Sequence, residues 1–227
     1  MTAKICASVT AHTNKTLVDM VQKSERKGAD LIEIRLDFLT DAPDVKYIRG
    51  LTSLPLIATN RLKSEGGRFR DSEEKRVSSL FTAAVEGFEY VDLELATPTI
   101  EAIVAKFKKE SKAKLIISHH NFQSTPSLTA LTRVFKEEID AGADVCKIIP
   151  MAERAEDNLT CLRFTTQASK TKNIICFCMG RLGIPSRLFS PLLGGYLTYA
   201  TVERGKEAAS GQLTIEDSRR FYELLRS

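Results

Sequence analysis

A (β/α)8 barrel forming one domain over residues 1–227 is the fold the sequence predicts, and three observations carry that prediction. Eight short apolar runs alternate with stretches of helical period, as in barrels of about 200–250 residues. Helical stretches stop at Gly28, Gly87 and Gly142, in KGAD, EGFEYVD and AGAD. Each of these glycines leads straight into the next apolar run, as a left-handed helix stop does. No linker rich in Pro, Gly or Ser and no low-complexity tract breaks the series, so no domain boundary is placed.

In chain order the first strand is Ile5–Val9 and the first helix Lys15–Lys27. The second strand, Leu31–Leu36, is followed by a short, weakly helical piece and then by the third strand, Pro55–Thr59. Helix Ser72–Val85, strand Tyr90–Leu95, helix Thr99–Glu110 and strand Lys114–Ser118 come next. Helix Ser127–Ala141 precedes strand Val145–Ile149, and helix Glu156–Ala168 precedes strand Ile174–Cys178. A second short piece, strand Gly195–Tyr199 and helix Ile215–Leu225 close the series. A doubly wound open sheet is the alternative. It has roughly five or six strands and, where it binds a dinucleotide, a GxGxxG after the first. The segment ASVTAHTN contains no glycine, and the strand count favours the barrel.

Composition narrows the function. Hydrophobic residues are 43% and charged residues 27%, an ordinary globular balance. A net charge of +4 with both signs interspersed is too mild and too diffuse to argue for nucleic acid but leaves room for a small-anion site. The opening MTAKICASVT lacks the apolar core of a signal peptide, and no run reaches transmembrane length, so no membrane partner is expected. The five cysteines include no CxxC pair. Cys176 and Cys178 fall on one strand face as small buried residues, and the expectation is a reduced cytoplasmic protein.

Charge on strands is the informative feature. In LIEIRLDF a period of two puts Leu31, Glu33, Arg35 and Asp37 on one face and Ile32, Ile34 and Leu36 on the other. On a parallel barrel strand the apolar face meets the helices, so Glu33 and Arg35 point inward, where charges need partners or ligands. The same period in GADVCKIIPM aligns Val145, Lys147 and Ile149. An amine held there loses hydration, which favours a neutral form able to attack a ketone or aldehyde. The competing role is a structural ion pair with Glu33 or Asp144. In IISHHNFQSTP, His119 and His120 point to opposite faces, so only one can serve the site as acid or base. His12 is the remaining histidine and there is no HExxH, so the sequence offers no zinc pattern. Arg61 and Glu65 in TNRLKSEGG, and Arg187 in MGRLGIPSR, fall at the barrel mouth, where Arg187 suits a carboxylate.

Taken together these stretches resemble type I 3-dehydroquinate dehydratase. The resemblance runs in order through EIRLD, R-x-x-x-EGG, S-x-H-x-F-x-x-TP, GAD-x-x-K, MG-x-x-G-x-x-SR, G-x-x-LTYA and a final GQ. It implies a (β/α)8 barrel, a homodimer, no cofactor and no metal. It also implies a single small-molecule substrate, 3-dehydroquinate, dehydrated through a Schiff base. Lys147 takes the place of the Schiff-base lysine, His120 that of the general acid/base, and Glu65 that of the group orienting His120. Glu33, Arg35, Arg61, Arg187, Gln212 and Ser8 match substrate-binding positions.

Two departures stand out. Asn121 replaces the family's aspartate after the histidine, and the lid reads Ala208-Ala209-Ser210-Gly211-Gln212 where the family has Ser-Ala-Pro-Gly-Gln. With Gly205 and Gly211 as pivots and no proline, this lid is expected to be poorly ordered until ligand binds. A class I aldolase sharing the strand lysine and a non-catalytic binding barrel are the rival readings. The first wants a phosphate cradle after the last two strands. The second predicts binding without turnover.

Overall fold

Side chains alternate across a strand and recur every 3.6 residues along a helix, so the apolar residues of this chain sort into two layers. The computed structural model describes residues 3–40 and 43–225. Its strands are β1 (Ile5–Val9), β2 (Leu31–Arg35), β3 (Leu56–Thr59), β4 (Tyr90–Glu94), β5 (Lys114–Asn121), β6 (Val145–Pro150), β7 (Asn173–Cys176) and β8 (Thr198–Thr201). They lie in the order β7-β6-β5-β4-β3-β2-β1-β8, all parallel. At the seam between β7 and β8 the Tyr196 N–H donates to Ile174 O at 2.8 Å. Sequential neighbours with β8 against β1 give the barrel, not the open sheet.

The connections carry α1 (Asn14–Arg26), α2 (Val45–Arg49), α3 (Glu73–Val85), α4 (Ile100–Glu110), α5 (Leu128–Asp140), α6 (Asp157–Ala168), α7 (Ile184–Phe189) and α8 (Ile215–Leu224). Side chains of Ser72, Ser127 and Thr214 accept the first-turn N–H groups of α3, α5 and α8, and Thr13 and Thr16 form a capping box on α1. Gly28, Gly87 and Gly142 take φ of +80°, +94° and +94°, the left-handed stops expected. The two weak helical pieces are indeed short, five residues in α2 and six in α7.

Ile32, Ile34, Cys146 and Ile148 face outward into a layer with Leu17, Leu80, Phe107 and Phe164 of the helices. Leu31, Ile57, Ile116, Val145 and Ile175 fill the barrel interior. The two-residue period is thus realised on β2 and β6. Cys176 and Cys178 are both buried in the outer layer, and the Cys178 Sγ lies 3.3 Å from that of Cys161.

Most strand boundaries move by one to three residues from expectation; β7, for one, spans Asn173–Cys176 and so ends before Cys178, and three other shifts have a visible cause or consequence. β8 begins at Thr198 rather than Gly195, because a Cβ at Gly195 would lie 2.4 Å from Ser190 Oγ and Gly194 turns with φ +99°. β5 continues to Asn121 because His119, His120 and Asn121 pair with Ile148, Ile149 and Pro150. β2 stops at Arg35, leaving Asp37 on a short 3₁₀ turn. Among the described residues no helix is long and apolar enough to cross a membrane.

Candidate active site

Parallel strands of a barrel end on one face, and that face collects the charged side chains. A cavity of about 260 Å³ there is lined by Ser8, Glu33, Arg35, Arg61, Glu65, His120, Lys147, Arg187 and Gln212, so all nine residues singled out in the sequence meet in one place. Ile149, Met151, Phe177, Met179 and Tyr199 supply an apolar wall.

Lys147 is 5% exposed and sits inward on β6, as its register requires. Its Nζ lies 2.7 Å from Asp92 Oδ2, 3.8 Å from Glu33 Oε1 and 4.4 Å from the centre of the Tyr199 ring. The amine is therefore ion-paired, and its first partner is Asp92, not Glu33 or Asp144. Asp144 turns away to accept the Leu115 N–H at 2.9 Å. Asp92 also receives Arg61 Nη2 at 2.8 Å and the Ser118 hydroxyl at 2.7 Å. Burial works against its charge, but Arg61 and Lys147 outweigh burial and hold it well below the usual carboxylate range.

His120 comes from the extension of β5 and faces the cavity, whereas His119 lies outside the lining near Glu137. Burial first, then the cations of Arg61 and Lys147, push the His120 imidazolium well below its ordinary value of 6.5. A base that starts neutral at pH 7 is what proton abstraction requires. His120 Nδ1 is 3.7 Å from Glu65 Oε2, and neither atom has a hydrogen-bond partner among the described residues. Glu65 is thus beside the imidazole, as expected, but not bonded to it. Burial raises the Glu65 carboxyl. The Phe122 ring stacks on His120 at 6.0 Å and 17°. Its edge leaves no room for a Cβ at Gly66, 2.7 Å away, in a turn with φ +77°.

Since burial lowers the imidazolium, kcat/KM should stay flat as pH falls through 6.5 and drop only at lower pH. An acid limb centred on the free-histidine value would contradict that environment. The sign for stability is the same. The unfolded chain takes up the proton first, so this histidine's contribution to stability is complete above 6.5 and is lost as pH falls below it.

The arginines divide into two kinds. Arg35 forms a two-pronged pair with Asp37, at 2.9 and 2.7 Å. Arg61 is held by Asp92, Glu94 and Ser118. Arg187 is different. It is 3% exposed, stacks over Phe177 at 4.4 Å, and has no carboxylate within ion-pair distance among the described residues. Its Nε has no hydrogen-bond partner among the described residues, and burial lowers its pKa from 12.5 to about 10. Burial without a counter-ion therefore costs the fold stability at neutral pH, offset only in part by the Phe177 ring and by the Tyr199 carbonyl that Nη1 approaches at 3.5 Å. Replacing Arg187 with Met should therefore raise the melting midpoint while raising KM for a carboxylate substrate by about 10²-fold. A destabilised Arg187→Met with unchanged KM would refute an anion-binding role.

Ser8 and Gln212 join the site through hydrogen bonds. The Ser8 hydroxyl donates to Glu33 Oε2 at 2.8 Å, Thr59 donates to Oε1 at 2.9 Å, and Gln212 Nε2 reaches Ser8 Oγ at 3.3 Å. The lid lies over the mouth, with the Gly180 N–H donating to Ser210 O at 3.1 Å and Ala208, Ala209 and Ser210 lining the cavity. Asn121 accepts the Gln123 and Ser124 N–H groups and shapes a turn outside the lining. Sequence reasoning misses Asp92 and Tyr199. YVDLEL shows the same alternation of Tyr90, Asp92 and Glu94 that exposed Glu33, and it was a sufficient signal for Asp92.

A barrel with a buried amine, a neutral imidazole and an unpaired guanidinium at its strand ends is that of an enzyme acting on a small anionic carbonyl compound. Residues 5–227 match the family model for type I 3-dehydroquinase. A 3-dehydroquinate dehydratase of Methanococcoides burtonii is 37% identical over 227 residues, covering 96% of this chain and 94% of that one. The crystal structure of 3-dehydroquinate dehydratase from Geobacillus kaustophilus superposes with a TM-score of 0.92 at 28% identity, covering 100% of this chain and 92% of the other. A type I enzyme from Clostridium difficile, solved with covalently modified comenic acid, gives 0.87 at 25% identity and covers 98% and 92%. The chain belongs to the type I 3-dehydroquinase family, whose members are hydro-lyases.

Proposed function

We propose that this chain dehydrates 3-dehydroquinate to 3-dehydroshikimate through an imine on Lys147, with His120 moving the protons. The observation that carries the reading is the placement of Lys147 and an uncharged His120 on adjacent strands, beside an arginine without a counter-ion among the described residues. The substrate carboxylate pairs with Arg187, and the ring ketone meets the amine of Lys147. Addition and loss of water give a protonated imine, and its positive charge makes the neighbouring C–H acidic. His120 takes that proton and the electrons flow into the imine. His120 then returns a proton to the departing hydroxyl, so that one water leaves. Hydrolysis of the conjugated imine releases the enone and restores the amine. Asp92 and Glu33 stand beside the Lys147 nitrogen and offset its charge in the protonated imine, and Glu65 faces the imidazolium as it forms. Incubation with 3-dehydroquinate should produce the rising ultraviolet absorbance of a conjugated enone. Binding without that rise would favour a non-catalytic barrel.

We place the active chain in the cytoplasm as a homodimer, one catalytic barrel per subunit. Five free, buried thiols support a reducing compartment. The family resemblance supports the dimer, and light scattering should return twice the 25.2 kDa of one chain.

Gln212 is the lid's side-chain contact in this scheme. The Ala208 N–H donates to Gln212 Oε1 at 2.8 Å, leaving the amide nitrogen for Ser8 and substrate. Gln212→Ala should raise KM by about tenfold and lower kcat less, the loss of one hydrogen bond. Ala208→Ser with Ser210→Pro should tighten binding by about 1–2 kcal/mol. Amide exchange in this segment should slow on adding ligand. A silent Gln212→Ala and a weakened double variant would remove the lid from the binding scheme.

A further inference from the structure

Glu138 is an acid where an apolar residue would pack more cheaply. It lies in the last turn of α5, the negative end of the helix dipole, and is 0% exposed between α5 and β6. Its Oε2 accepts the backbone N–H of Lys147 at 3.1 Å, while Oε1 has no nitrogen or oxygen donor among the described residues. The Cys146 thiol lies beside the carboxyl, and no cation pairs with it within ion-pair distance among the described residues. We infer that Glu138 is a positioning residue for imine formation: from behind β6 its carboxyl oxygen fixes the backbone of Lys147 and with it the reach of Nζ into the cavity.

The geometry explains why an acceptor there matters. Lys147 Nζ is set between Asp92 at 2.7 Å and the Tyr199 ring at 4.4 Å, so it has little freedom to correct a shifted backbone. A misplacement of about 1 Å costs on the order of 10²-fold in a reaction that depends on attack geometry. Burial and the charge of Asp92 raise the Glu138 carboxyl well above the usual range, although the Cys146 thiol and the Lys147 backbone and charge pull the other way. It therefore serves as a neutral acceptor and adds no second negative charge behind the imine.

The inference rests on Lys147 being the imine residue, and the test separates the two ideas. Glu138→Leu, Glu138→Gln and Glu138→Asp are compared with the unmodified chain for borohydride trapping rate, kcat, KM, pH profile and melting midpoint. Glu138→Leu fills the space without an acceptor and should slow trapping and kcat by about tenfold or more with little change in KM. Glu138→Gln restores the acceptor without charge and should recover trapping and the pH profile to within about twofold. A folded Glu138→Leu that traps at the unmodified rate would overturn the inference. So would a Glu138→Gln as slow as the leucine variant, since the acceptor alone would then not suffice. A purely structural glutamate moves the melting midpoint and not the trapping rate per folded molecule. Should the leucine variant fail to fold, Glu138→Asp withdraws the carboxyl by one methylene and reads the same way. Slowed trapping upholds the role and an unchanged rate overturns it. Trapping at a lysine other than Lys147 in the unmodified chain would instead overturn the imine assignment itself.

Discussion

Lys147→Ala should lower kcat by about 10⁴–10⁶-fold and abolish borohydride-dependent inactivation, because no arginine replaces a covalent electron sink. The fold should survive the change. Asp92, the carboxylate left behind, keeps Arg61 at 2.8 Å and the Ser118 hydroxyl at 2.7 Å. It therefore escapes most of the roughly 3–5 kcal/mol that an orphaned buried charge costs. Circular dichroism and a melting curve check the fold, and steady-state kinetics check the rate. A Lys147→Ala protein with turnover above a hundredth of the original would mean that dehydration proceeds without the imine.

The second large effect belongs to His120. His120→Ala should still form the imine, since Lys147, Asp92 and Arg187 are untouched. It should then stall at proton abstraction, with kcat down by about 10²–10⁴-fold. The stalled species should accumulate, so mass spectrometry after borohydride should find more trapped ligand than in the unmodified enzyme during turnover. His119→Ala should leave kcat close to normal, because that ring lies outside the cavity lining. Equal losses from the two alanine variants would contradict the assignment, and so would an absence of adduct in His120→Ala.

Much of this site is legible in the sequence because a strand's two-residue period is local. Glu33, Arg35 and Lys147 face inward for the same reason that Ile34 and Cys146 face outward, and six residues suffice to see it. Pairing across the barrel is not local. Lys147 on β6 meets Asp92 on β4, two strands away, and nothing beside Lys147 in the chain distinguishes Asp92 from Asp144 as its partner. Arg76 makes the same point from a helix. A charge in EEKRVSS reads as part of a solvated face, yet Arg76 is 0% exposed, paired with Glu73 and Glu94 and bonded to Thr97. It holds Glu94 against Arg61 beneath the site. Glu138 hides in the same way, since its meaning depends on the strand behind it. The start of β8 is not legible in the sequence, because a pair of glycines reads equally as strand or turn until Ser190 is seen against Gly195.

The central claim is that Lys147 carries the imine, and peptide mapping after reduction tests it most directly. Enzyme, 3-dehydroquinate and borohydride are mixed, digested and analysed by mass. One modified site should appear, at Lys147 in the segment Ala143–Met151, with ligand mass added in step with lost activity. Adduct on a different lysine, or complete inactivation with no adduct at all, would contradict the account.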